Sequence, residues 1–101
     1  MGRASRQKPL RLAEKLKTIR EKLELSQGGM LIRLGIQDSS INRASISGYE
    51  LGEREPPLLV LYAYSNAANV FMEVLVDDKI NLPDIIPSEE RSLGKRNFKQ
   101  S

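Results

Sequence analysis

Leu12, Leu16, Ile19 and Leu23 follow one another at steps of four, three and four residues. That spacing lines four apolar side chains along one face of an α-helix, whereas strand side chains share a face only at every second residue. Pro9 suits a first helical turn, where its missing N–H costs nothing, so a helix is expected over 9–23. Ser26 offers a side-chain oxygen to cap a second helix, with Met30, Leu31 and Leu34 facing inward and Gly35 as its left-handed end. Gly28 and Gly29 each weaken that helix by up to about 1 kcal/mol relative to alanine, so packing must offset the loss or something must approach this backbone closely. A third helix is expected over 42–51, with Asn42 as cap, Ile46 and Tyr49 buried, and Gly52 as stop. Pro56 and Pro57 open a fourth, with Leu58, Leu61, Tyr62 and Ser65 toward the core and Asn69 at its end. Residues 70–76 supply a fifth, bearing Met72 and Leu75. No stretch alternates apolar and polar for long, so strands are not expected. The fold class is therefore all-α, five short helices with brief connections.

With 101 residues the chain forms one domain around one modest core, and its 40% hydrophobic and 29% charged residues describe an ordinary globule. It contains neither cysteine nor histidine, which removes disulfides, thiolate nucleophiles, imidazole bases and the usual zinc ligands together. The remaining Ser, Lys and carboxylates show no spacing of a nucleophile elbow, a phosphate loop or a metal cage, so neither catalysis nor a cofactor or metal is expected. The longest apolar run, "LLVLYAY", has seven residues against the roughly 20 that cross a bilayer. The amino-terminal "MGRASRQKP" lacks the apolar stretch of a secretory signal and carries Arg6 where a myristoylation site takes Ser or Thr. A cytoplasmic location is expected.

Charge is unevenly distributed. Residues 1–24 carry eight Lys and Arg against three Glu, a net of +5; residues 25–56 net −1, 57–87 net −3 and 88–101 net +2. Two basic ends around a nearly neutral middle suit a polyanionic partner.

Four segments, "IREKLELSQ", "LIRLG", "ISGYELGEREP" and "LLVLYAYSNAANVFMEVL", resemble the lambda-repressor-like (Cro/cI-type) helix-turn-helix DNA-binding domains, over about two thirds of the chain. The pairing of "LSQ" with a downstream S-x-Y-E-x-G-x-R-x-P is the specific part. The resemblance implies that the second helix crosses the DNA backbone while the third enters the major groove. Anchored on Glu50, it places the helix cap at Asn42 and base-facing positions at Arg43, Ala44, Ser45, Ser47 and Gly48. Gln27 matches the glutamine that positions the duplex, and Arg20 and Glu50 match a largely buried ion pair tying the first helix to the third. Physical chemistry supports these residue types. The planar fork of Arg43 fits guanine O6 and N7, or two phosphate oxygens; the methyl of Ala44 suits thymine; Gly48 would let the helix sink closer.

The chain departs from that family between Gly35 and Ser47, which stand five residues further apart than usual. With Ile41 in the small apolar slot before the third helix, residues 36–40, "IQDSS", are the insertion. Either Asp38 and Ser39 bond their own backbone in an outward bulge, or Asp38 caps a longer third helix beginning near Ser39. The bulge is favoured because Asn42 is already a good cap and Ile41 is better buried. In either case Ser39 and Ser40 are expected to contact a phosphate or a groove edge.

The expected organisation is a basic arm over 1–8, with Arg3, Arg6 and Lys8 following phosphates, a helix-turn-helix domain over 9–76, and an appendage over 77–101 that is partly disordered beyond Ser88. Ile80, Leu82, Ile85 and Ile86 are too apolar for a free tail and should pack on the domain or on a second subunit. The expected partner is double-stranded DNA, bound by a homodimer at half-sites about 34 Å apart, in the role of a transcriptional repressor or autoregulator. An antitoxin-like alternative gives the chain a small protein partner, held through the apolar tail, with DNA binding secondary.

Overall fold

The computed structural model describes residues 8–88 and 90–96. Among the described residues five helices form: α1 Leu12–Lys22, α2 Gln27–Leu34, α3 Arg43–Leu51, α4 Leu58–Ala68 and α5 Met72–Val76. The boundaries follow local chemistry. Ser26 Oγ accepts the Gly29 N–H at 2.9 Å, while Asn42 and Ser45 form a reciprocal capping box. Gly35, Gly52 and Asn69 all adopt the left-handed conformation that ends α2, α3 and α4.

The start of α1 differs from the expectation. It begins at Leu12 instead of Pro9, because its free N–H groups are satisfied from a distance. Asp78 accepts the backbone N–H of Leu10 at 2.9 Å and of Arg11 at 3.0 Å. The same region returns the favour through Lys15, which is only 1% exposed. Its ammonium donates to the carbonyl oxygens of Val74, Asp77 and Ile80 at 2.7 to 2.9 Å, satisfying groups left over at the end of α5. Burial, followed by the nearby Arg11 charge, pushes the Lys15 pKa down.

The core gathers Leu12, Leu16 and Ile19 from α1, Met30 and Leu34 from α2, Ile46 and Tyr49 from α3, and Val60, Tyr64 and Ala68 from α4. Val70, Val74, Leu75 and Ile80 complete it. Helix α1 packs on α3 and α5, α2 on α3 and α4, and α4 on α5. The rotation of α4 corrects the expected phase: Val60, Tyr64, Ser65 and Ala68 are buried, whereas Leu58 and Tyr62 are exposed. Apolar residues occupy nearly every side of that helix, so the sequence pattern contains little to orient it.

The segment beyond α5 is built onto the domain. A short ladder not expected from the sequence joins β1 Ile80–Asn81 to β2 Lys95–Arg96, antiparallel, with Ile80 opposite Arg96. Val70 also bridges Ser92 in parallel. Residues 90–96 are thus joined to the domain, while 89 and 97–101 lie outside the described residues. Arg91 lies over the Phe71 ring, 5.7 Å from its centre, and donates to Asn66 Oδ1 at 2.9 Å. Gly94 has φ +75°, and a Cβ there would stand 2.5 Å from the Asn81 carbonyl oxygen. Of the four apolar tail residues, Ile80 is buried, Leu82 and Ile86 pack against the core, and Ile85 is exposed.

Candidate nucleic-acid interface

Glu50 joins three helices. Arg20 Nε donates to its Oε2 at 2.7 Å and Arg20 Nη2 to its Oε1 at 3.1 Å, a two-pronged pair between α1 and α3. Arg20 Nη1 also donates to the Leu25 carbonyl at 2.9 Å. Gln27, the first residue of α2, donates Nε2 to Glu50 Oε1 at 3.3 Å. The Glu50 side chain is 4% exposed and that of Arg20 16%, and the hydrogen bond to Glu50 raises the arginine pKa. The pair fixes α3 against α1 and the start of α2.

The first turns of α2 and α3 lie side by side. A Cβ on Gly28 would stand 3.7 Å from Arg43 Cδ, an ordinary contact distance, which places the two turns next to one another. Asn42, Arg43 and Ala44 are exposed and Ser47 is half-buried. The Arg43 side chain makes no hydrogen bond or ion pair among the described residues. Its guanidinium extends a positive charge from the end of α3 whose N–H groups already carry the positive end of the helix dipole.

Ser45 and Gly48 are placed differently from the expectation. Ser45 is 1% exposed, accepts the Asn42 N–H at 3.1 Å through its hydroxyl, and accepts a further bond from Arg54 Nη1 at 3.3 Å. Gly48 is covered by the methylenes of the same arginine: a Cβ at Gly48 would stand 2.9 Å from Arg54 Cδ and 3.0 Å from Cγ. In this arrangement the missing side chain makes room for Arg54 and does not offer bare backbone to a ligand. Arg54 is the arginine of the quoted S-x-Y-E-x-G-x-R-x-P pattern, which assigned it no role; the signal for its placement was a glycine in the middle of a helix, where that residue is unfavourable unless something occupies its space.

The lengthened connection between α2 and α3 takes the bulged form. Asp38 Oδ1 accepts from the Ser40 N–H at 2.9 Å and the Ser40 hydroxyl at 2.7 Å, and the Ile41 N–H donates to the Asp38 carbonyl at 3.0 Å. The Ser40 hydroxyl, then its N–H, hold the Asp38 carboxyl below the usual carboxylate range. Helix α3 consequently starts after Asn42 and is not extended toward Ser39. Ser39 and Ser40 are exposed. The loop runs beside the start of α4, with a groove of about 440 Å³ between Ile36, Asp38 and Ile41 on one side and Leu58 and Leu59 on the other.

Among the described residues no group of Asp and Glu has the arrangement to hold a metal ion, and no helix is long and apolar enough to cross a membrane. Lys8 is exposed beside Arg54 and Pro56, while Arg3 and Arg6 lie outside the described residues. No protein-family model, curated protein or solved structure matches the chain.

Proposed function

We propose that this chain binds double-stranded DNA sequence-specifically, with α2 and α3 as a helix-turn-helix pair whose adjoining first turns meet the duplex, and acts as a small dimeric transcription regulator. The observation that carries the reading is Arg43: an exposed guanidinium without an ion-pair partner among the described residues, on the first turn of a capped helix that the Arg20–Glu50 pair holds in place. Asn42, Ala44 and Ser47 share the accessible part of that helix, and Ser39 and Ser40 lie on the adjoining loop. Gln27 contributes to the interface through its position, although its amide nitrogen is engaged with Glu50.

Selection of bound fragments from random duplex DNA tests the reading, followed by titration of the selected duplex at several salt concentrations. A recurring sequence is expected, with affinity falling steeply as salt rises, because phosphate contacts release counterions. Failure to retain any duplex at low ionic strength sinks it. The alternative, in which a protein partner is the main ligand, loses part of its basis because Ile80, Leu82 and Ile86 are used within the domain. The apolar surface that supports a partner or a second copy is instead the outer side of α4, where Leu59 is 74% and Tyr62 52% exposed.

A further inference from the structure

Glycine in mid-helix is unfavourable, yet Gly48 stands in the middle of α3, in line with the exposed Ala44 and Leu51 but itself buried. The space it leaves is filled by one side chain. After the left-handed turn at Gly52, the N–H groups of Glu53 and Arg54 both donate to the Gly48 carbonyl, at 2.9 and 3.2 Å, so the chain doubles back on the helix. Arg54 then runs along α3 over Gly48 and reaches Ser45, which brings a guanidinium from the far end of the helix to the turns near Arg43. One of its five N–H donors is used by Ser45, the residue is exposed, and it has no ion pair among the described residues.

We propose that Arg54 is a phosphate-contacting residue of the duplex interface and that Gly48 is the positioning residue that aims it. This rests on the DNA-binding reading above and assigns a ligand group to a residue outside the expected base-facing set. A helix of roughly 10–12 Å diameter nearly fills a major groove about 12 Å wide, so side chains at its leading stripe meet bases while a cation lying alongside meets the strand walls. The arginine fork matches two phosphate oxygens there. Any side chain at position 48 would displace the arginine stem, because the contact is with its inner methylenes and not with a pliable tip.

The test uses the full chain with two fluorescent duplexes, one selected by the wild-type protein and one of random sequence. Arg54→Ala weakens both by a similar factor, roughly tenfold, and lowers the slope of log affinity against log salt by about one. Gly48→Ala, with helix content retained by circular dichroism, reproduces the loss of slope, and the double variant binds no more weakly than Arg54→Ala. Should Gly48→Ala fail to fold, Arg54→Lys replaces it: the charge persists, so the slope is kept while affinity falls. An unchanged slope and affinity in Arg54→Ala overturns the proposal, as does a loss confined to one base pair, which makes Arg54 a base reader. A wild-type chain that holds neither duplex removes the DNA-binding reading itself, and this assignment with it.

Discussion

Lys15 Nζ and the carbonyl oxygen of Ile80 stand 2.7 Å apart inside the domain. With Val74 and Asp77 accepting from the same ammonium, one buried side chain secures the end of α5 and the turn after it against α1. Lys15→Met keeps the apolar stem and leaves three carbonyls without their donor, so it is expected to lower unfolding stability by about 3 kcal/mol. Urea denaturation of the two chains measures this; a loss below about 1 kcal/mol would mean that water replaces the ammonium.

The reciprocal contact sets an acid limit. The N–H of Leu10, then that of Arg11, hold the Asp78 carboxyl below its ordinary value of 3.8. The unfolded chain takes up this proton at a higher pH than the folded one. Stabilisation by Asp78 is therefore complete above 3.8 and is lost as pH falls through the window beneath it. Asp78→Ala should be the less stable chain at neutral pH and show a flatter decline below 3.8. Denaturation midpoints between about pH 5 and pH 2 measure the difference, and parallel curves for the two chains would rule this contribution out.

Glu50 is the carboxylate that α1, α2 and α3 share. Glu50→Gln leaves Arg20 buried against an uncharged partner and should cost on the order of 3 kcal/mol, whereas replacing both residues with Met and Leu should recover much of that loss. Guanidinium denaturation of the single and double variants checks it. Equal instability in both would trace the loss to packing and not to the stranded charge.

Arg43→Ala is expected to weaken binding of the selected duplex by about 1 to 3 kcal/mol and to relax preference at one base pair. Titration against a panel of singly substituted duplexes reads both effects. Uniform weakening over the panel would make Arg43 a phosphate contact.

Gly94→Ala puts a methyl into the Asn81 carbonyl and forces a left-handed backbone on a residue that resists it. A loss of about 2 kcal/mol is expected, together with faster proteolysis beyond Ile80. If cleavage there is no faster, the strand pair contributes little to holding the segment.

Helix starts and stops were legible where their cause is local. Ser26 and Asn42 cap the helices that follow them, and Gly35, Gly52 and Asn69 end the helices before them, each through its own side chain or backbone freedom. What the pattern missed is distant in sequence. Asp78 supplies the cap that moves the start of α1, Lys15 is a core residue only because three carbonyls converge on it, and Gly94 becomes intelligible only beside Asn81. The candidate interface divides in the same way. Asn42, Arg43 and Ala44 are exposed as their positions on the helix require, while Ser45 and Gly48 were misjudged because a residue from the following turn folds back across them.

The bulge between α2 and α3 has a practical consequence. Gly35 closes one helix and Asn42 opens the next, each without help from the residues between, and the Asp38–Ser40 turn is closed on itself. Strain introduced at Ser39 has no rigid path into either neighbour. The bulge is thus a natural splice point, where a dye, an epitope or a few added residues can be grafted while both flanking helices keep their register.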